Sequence, residues 1–257
     1  MPITLTINGA CGRMGRELVA LAASDPELRL VSLWEGDSHP QVGTVDAATG
    51  LPVSRQWSGV AGSVIVDFST PGATATLLDG FGGSAAALVS GTTGLGAMEL
   101  ERLKALSSRV PVLHSANMSL GVAVMHRLLR AVAQVVSPDW DVEMMEMHHR
   151  RKADAPSGTA LALARTLSAA WKGGLTVRCG REGAVGARPS GEVGVLALRG
   201  GDVVGEHEVI FAGPGEVLRV RHDALSRTVF AAGALRAARY LARARPGFYT
   251  MDDVLGI

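Results

Sequence analysis

Cysteine is nearly absent: Cys11 and Cys179 are the only two in 257 residues, they lie far apart, and neither belongs to a CxxC pair. This excludes a disulfide framework and a structural zinc held by paired thiols, and it suits a reducing compartment. Net charge is small too, a formal +1 from 25 lysines and arginines against 24 acids. No field of one sign therefore draws the chain to nucleic acid or to an anionic membrane, and any anion site must be local. No run approaches the roughly 18 uninterrupted apolar residues of a membrane span. The opening MPITLTINGACG passes into a glycine loop without the basic start and apolar core of a secretory signal. The expected setting is cytoplasmic, with neither nucleic acid nor membrane as partner. What is present is a globular balance of 47% apolar and 19% charged residues, in a length that suits two domains.

Along the chain, residues 4–8 are β-rich, a glycine loop follows, and Met14, Leu18, Leu21 and Ala22 recur at helical spacing. Further strands are expected over 28–34, 64–68, 85–90 and 110–115, with helices over 73–81 and 97–107 between the later ones. Short apolar strands alternating with helices imply a parallel sheet covered on both faces, a doubly wound α/β domain of Rossmann type. From residue 119 the pattern changes. A long apolar helix runs to about 136, and a strand over 141–147 leads to a histidine pair. A helix then starts near Ser157 with Leu161, Ala164, Leu167 and Trp171 on one face. Short β-prone runs over 175–179, 192–198, 206–211 and 217–221 are separated by glycine-rich turns, and no helix interrupts the last three. They predict an antiparallel or mixed sheet in a second, α+β domain. The alanine-rich stretch 226–243 is expected to be a helix that packs back on the first domain. The boundaries are thus 1–119 plus 226–257 for one domain and 120–225 for the other.

GACGRMG, residues 9–15, follows the first strand and opens the first helix. Glycines let the backbone turn tightly and approach a pyrophosphate, which the free N–H groups and positive end of the helix attract. The spacing is GxxGxxG, an approximation of the dinucleotide fingerprint, so the loop that holds Gly9, Ala10, Cys11, Gly12, Arg13 and Met14 is a candidate cofactor-binding loop. Glu35 ends the second strand about twenty residues on, where an acid accepts from the adenine-ribose hydroxyls. Its charge disfavours a 2′-phosphate and Gly36 offers no base to hold one, so NADH is favoured over NADPH, although Arg13 or Arg16 could compensate. GTTG, with Gly91, Thr92 and Thr93, follows the fourth strand. SANM, with Ser115, Ala116, Asn117 and Met118, follows the fifth. Ligands of open α/β sheets bind beyond these carboxyl ends, where Thr92, Thr93 and Asn117 could hydrogen-bond the nicotinamide.

HHRRKADAPSGTA, residues 148–160, is the most informative stretch. It gathers a titratable imidazole, a fixed cation and a helix start with a proline, a capping serine and a glycine. Such a combination suits a small dicarboxylate. Hydride addition to a conjugated imine leaves negative charge that a proton must neutralise, and an imidazole is suited to deliver it. His148 is the candidate, with Lys152 stabilising a substrate carboxylate or sharing the proton transfer. The N–H groups of Gly158 and Thr159 would grip the anion, with His149 as a further donor. The other histidines, His39, His114, His126, His207 and His222, lack a spaced metal-ligand partner set and read as structural, so no metal is expected. Met144, Met145 and Met147 read as core filling.

In their order, GACGRMG, GTTG, SANMSLGV, HHRRKADAPSGTA and RGGDVVGEH (residues 199–207) give a chain that resembles dihydrodipicolinate reductase. This is the 4-hydroxy-tetrahydrodipicolinate reductase family of lysine and diaminopimelate synthesis. The resemblance implies an NAD(P)H-dependent oxidoreductase with a Rossmann-like first domain and a mixed-sheet second domain, assembled as a homotetramer mainly through those sheets. It also implies a cyclic dicarboxylate substrate, His148 as proton donor or acceptor, and Lys152 as its partner. Two departures stand out: Met118, where the family commonly has an aromatic residue, and Gly36, where some members have arginine. Two other readings are a different two-domain amino-acid dehydrogenase, which has no need of the combined HHRRK and DAPSGT segment, and a non-catalytic nicotinamide-binding sensor, for which His148 and Lys152 would be surplus.

Overall fold

In chain order the elements of the computed structural model begin β1 (Ile3–Asn8), α1 (Arg13–Ala23), β2 (Leu28–Glu35), β3 (Val53–Arg55), β4 (Val64–Asp67), α2 (Pro71–Gly80), β5 (Ala87–Ser90), α3 (Ala97–Leu106) and β6 (Pro111–His114). They continue with α4 (Leu120–Val135), β7 (Asp141–His148), α5 (Gly158–Ala170), β8 (Thr176–Cys179), β9 (Glu192–Arg199), β10 (Gly205–Gly213) and β11 (Glu216–Ala224). The chain closes with α6 (Thr228–Leu241), β12 (Gly247–Tyr249) and α7 (Met251–Leu255). The structure describes residues 1–55, 62–81 and 87–256, so the first two residues of the strand expected over 85–90 lie outside them. The chain divides into two units, Met1–Leu120 with Arg227–Ile257, and Gly121–Ser226.

The first unit is a seven-stranded sheet in the order β12-β6-β5-β4-β1-β2-β3, and every pairing in it is parallel. β4 and β5 are buried at every residue, as strands covered on both faces must be. One face carries Trp34, Ile65, Leu88 and Val112 into a cluster with Leu77 of α2, Phe81 at its end, and Leu103 and Leu106 of α3. The other face meets α6, which also packs on α1. The buried stripe of α6 is mostly alanine with Gly233, where a Cβ would stand 1.8 Å from the Met118 carbonyl oxygen. Small residues therefore set how closely that helix approaches the backbone at Met118. The strand order reverses between β1 and β4, and a crevice for ligands opens at such a switch, beyond the carboxyl ends of the strands.

The second unit is a five-stranded mixed sheet, β11-β10-β7-β9-β8. β9 and β10 follow each other in sequence but are not neighbours. β7 lies between them, parallel to β9 and antiparallel to β10. One sheet face, with Val142, Met144, Val193, Val195, Val209 and Phe211, packs against residues of α4 and α5. The core stripe of α5 is Ala160, Leu163, Ala164 and Leu167, with Trp171 just past the helix end, and Leu161 is only half-buried. Met144 is buried in this core as expected, whereas Met145 and Met147 alternate to the other face and are half-buried.

Candidate active site

In the first unit the glycine loop is tight for steric reasons. Gly9 has φ +79°, and a Cβ there would stand 2.6 Å from the Phe68 carbonyl oxygen. At Gly15 it would stand 2.0 Å from the carbonyl oxygen of Gly9, so both positions exclude any side chain. α1 begins with Gly12 at its N-cap and no side chain caps it, which leaves the first N–H groups of the helix to a ligand. The Glu35 carboxylate lies against this loop, accepting from Cys11 N–H at 2.9 Å and Gly36 N–H at 3.1 Å. Burial and the Glu35 charge push the Cys11 thiol up. His39, which reads as structural in the sequence, stands beside this pair, and ligand atoms of Cys11, Glu35 and His39 lie within 4.8 Å of one another. Those three are neighbours in space without a spacing that reveals it.

Asp67, wholly buried at the end of β4, organises the loops around the switch point. Its Oδ1 accepts from Asn8 Nδ2 at 2.8 Å and from Ser69 Oγ at 2.5 Å. Its Oδ2 accepts from Thr74, Thr92 and Ser90 hydroxyls at 2.7, 3.0 and 3.3 Å. This alters the expectation for Thr92. Its hydroxyl also accepts from Ser69 N–H at 3.1 Å, so the side chain is spent inward, while Thr93 is exposed. Asn117 turns its side chain back to accept from Ser119 N–H at 2.9 Å, and Ser115 Oγ donates to Asn117 O. Met118 is buried, with Ala116 exposed before it.

In the second unit the two-residue period of β7 puts Glu146 and His148 on the same face, and the neighbours finish the cluster. Parallel pairing sets Arg199 of β9 opposite His148, and antiparallel pairing sets His207 of β10 opposite Glu146. Glu146 is fully enclosed. Its carboxylate accepts from His148 Nδ1 at 2.6 Å, from Arg199 Nη1 and Nη2 at 2.9 Å each, and from Ser157 N–H at 2.9 Å. Burial alone would raise its pKa, but the hydrogen bonds from His148, Arg199 and Ser157 outweigh it and hold the group down at about 2. Nε2 of His148 faces Gly205, where a Cβ would stand 2.9 Å away.

Ser157 caps α5 by accepting from Ala160 N–H at 3.1 Å. The Lys152 ammonium pairs with Asp154 at 2.8 Å, and the Gly158 N–H also hydrogen-bonds that aspartate. Burial opposes ionisation of Asp154, yet Lys152 and these N–H groups hold its pKa below the usual range. A carboxylate therefore already sits between two of the groups expected to hold the substrate's. His149 and Thr159 are half-buried beside them and Gly158 is exposed.

Two family models together span nearly the whole chain: the N-terminal part of dihydrodipicolinate reductase matches residues 3–118 and the C-terminal part matches residues 121–255. The chain belongs to the dihydrodipicolinate reductase family. The 4-hydroxy-tetrahydrodipicolinate reductase of Rubrobacter xylanophilus is 44% identical over 264 residues, covering 98% of each chain. That of Burkholderia thailandensis is 39% identical over 262 residues, again covering 98% of each. Among solved structures, a dipicolinate-bound dihydrodipicolinate reductase from Paenisporosarcina sp. TG-14 superposes with a TM-score of 0.77. It is 24% identical, over 97% of this chain and 98% of that one, which speaks for the fold. A DAP dehydrogenase from C. glutamicum shares the fold more loosely, with a TM-score of 0.52 and 16% identity over 97% of this chain and 92% of that one.

Glu146 and Asp67 lie outside the motifs quoted above, and Arg199 and His207, the two ends of RGGDVVGEH, were given no site role there, His207 reading as structural. His207 is buried against His148, ring centroids 5.2 Å apart, with its Nε2 3.2 Å from Ser157 Oγ. Burial pushes its pKa down to about 4, with His148 adding to the fall and Glu146 opposing it. The folded state thus binds no proton at His207 where the unfolded chain does, so this contribution to stability is complete above about pH 6.5 and is lost as pH falls toward 4. Its full size is on the order of 3 kcal/mol. Thermal melts from pH 8 to 4 are expected to fall through that window, and His207→Gln to flatten the fall. A profile of unchanged steepness in the variant would locate the acid sensitivity elsewhere.

Proposed function

We propose that this chain reduces 4-hydroxy-tetrahydrodipicolinate to tetrahydrodipicolinate in the diaminopimelate route to lysine. One nicotinamide cofactor is oxidised, one proton is consumed and one water is released. The observation that carries the reading is the second-unit cluster: an imidazole anchored on an ionised carboxylate, beside a turn where Lys152 and the start of α5 hold a carboxylate.

Gly9, Ala10, Cys11, Gly12, Arg13 and Met14 are assigned to the pyrophosphate and Glu35 to the ribose hydroxyls. Gly91, Thr93 and the segment of Ser115, Ala116, Asn117 and Met118 are assigned to the nicotinamide, with Thr92 shaping its loop from within. A bound dihydronicotinamide supplies the hydride. His148 delivers the proton from Nε2, the ring nitrogen that Glu146 leaves unengaged. Lys152 and the N–H groups of Gly158 and Thr159 bind one substrate carboxylate by displacing Asp154, and His149 adds a further donor. These roles make residues 1–119 with 226–257 the dinucleotide-binding domain and 120–225 the substrate and assembly domain. The setting assigned is the cytoplasm. Among the described residues no helix is long and apolar enough to cross a membrane.

NADH is the assigned donor, because the Glu35 carboxylate repels a 2′-phosphate and no side chain at Gly36 offsets it. The test generates the substrate in place with its upstream synthase and follows nicotinamide absorbance with each cofactor. Substrate-dependent oxidation with a higher kcat/KM for NADH is expected. Equal or reversed values would overturn the cofactor assignment, and no oxidation with either would overturn the activity.

The sheet face of the second unit away from α4 and α5 carries Leu196, Leu198 and Val217, all more than 40% exposed, with Met145, Met147 and Ile210 half-buried among them. A homotetramer assembled through this face is the assigned state, since exposed apolar side chains interspersed with the Arg219–Glu208 and Arg221–Glu206 ion pairs suit an interface between copies. Light scattering is expected to give the tetramer mass, and the pair Leu196→Glu with Leu198→Glu is expected to give smaller species. A monomeric parent protein would contradict this.

A further inference from the structure

We infer that Glu146 is a positioning residue for this reaction: it fixes which ring nitrogen of His148 carries the exchangeable proton. The inference rests on the reading of His148 as the proton-handling group. The carboxylate is wholly enclosed, and all its partners are donors: His148 Nδ1, two guanidinium nitrogens of Arg199 and the Ser157 N–H. An ionised carboxylate only accepts, so Nδ1 at 2.6 Å has to carry a hydrogen in the neutral and the charged imidazole alike. Nε2 is then the nitrogen that gains and loses the proton. Arg199 matters here because it supplies the cation that keeps an enclosed carboxylate ionised.

The same carboxylate also fixes where the imidazole stands. Oε1 takes the N–H of Ser157, the residue whose side chain caps α5, while Oε2 takes His148. One rigid group thus joins the proton donor to the helix start assigned to the substrate carboxylate. A residue that only stapled β7 to β9 would need the Arg199 contact but not the His148 one.

The test is a double-mutant cycle in the full-length protein, using Glu146→Gln, His148→Gln and the pair. An amide can present its N–H to Nδ1 and stabilise the wrong tautomer, and loss of tautomer control at a histidine catalyst can cost up to about 10,000-fold in kcat. Glu146→Gln is expected to lower kcat by roughly 100-fold or more, with cofactor affinity unchanged. If it acts through His148, adding it to His148→Gln costs less than about threefold more. Full multiplication of the two losses, or a Glu146→Gln enzyme at the parent rate, would overturn the inference. Because that variant can fail to fold, the tautomer is also read in the unmodified protein from ¹⁵N-histidine spectra, with His148→Gln used to assign the signals. Protonated Nδ1 and bare Nε2 in the neutral ring are expected. A neutral ring protonated on Nε2, or an even mixture, would refute the role of Glu146. An unmodified enzyme with no turnover would instead sink the reading of the whole site.

Discussion

Replacing His148 by glutamine is expected to lower kcat by roughly 100- to 10,000-fold, the range over which a positioned acid–base group contributes. The apparent affinity for substrate should change far less, because the proton is delivered in the transition state and not in the ground state. Glutamine keeps a polar atom near Nε2 and can still donate toward Glu146, so the enclosed carboxylate is not stranded. The loss is therefore one of chemistry. Lys152 differs in kind: its ammonium already pairs with a carboxylate at 2.8 Å, so its removal should harm binding and turnover together. A His148→Gln enzyme at the unmodified rate in steady-state assays would remove the imidazole from the mechanism.

The second large effect belongs to Gly15. A methyl group there would stand 2.0 Å from the Gly9 carbonyl oxygen and 2.6 Å from the Ala10 carbonyl carbon and oxygen, and all three are backbone atoms that cannot rotate away. The loop has to open, and the N–H groups at the start of α1 lose their aim at a pyrophosphate. Gly15→Ala is expected to weaken NADH binding by more than tenfold, read by titration of nicotinamide fluorescence. Gly36→Ala is the control: a Cβ at Gly36 meets nothing within 4 Å, so binding should be retained. Equal affinities for the two variants would mean that the loop does not hold the dinucleotide.

Much of this was legible in the residues. The parallel sheet follows from short apolar strands alternating with helices, and the glycine loop and the turn at 148–160 announce themselves by composition. β3 and β12, of three residues each, and the five-residue α7 carry too few residues for any periodicity to register. Glu146 was within reach, since alternation along EMMEMH places it on the face of His148. Arg199 and His207 bound the RGGDVVGEH motif, but their place beside His148 was hidden, because it depends on the register of β9 and β10 against β7, which no local pattern encodes. Thr92 misled for a related reason. A threonine in a loop past a strand end reads as ligand-facing, and only the buried Asp67 shows that its hydroxyl points inward. The order of β9 and β10 was hidden too, because adjacent strands in sequence are here separated by β7.

The hydride itself can be followed. With NADH carrying deuterium at the transferable position of the dihydronicotinamide, and substrate generated in place, mass spectrometry of the product should find one deuterium on a ring carbon of tetrahydrodipicolinate. Cofactor oxidation without deuterium in the product, or binding of NADH without any product, would contradict the assignment of this chain as the reductase.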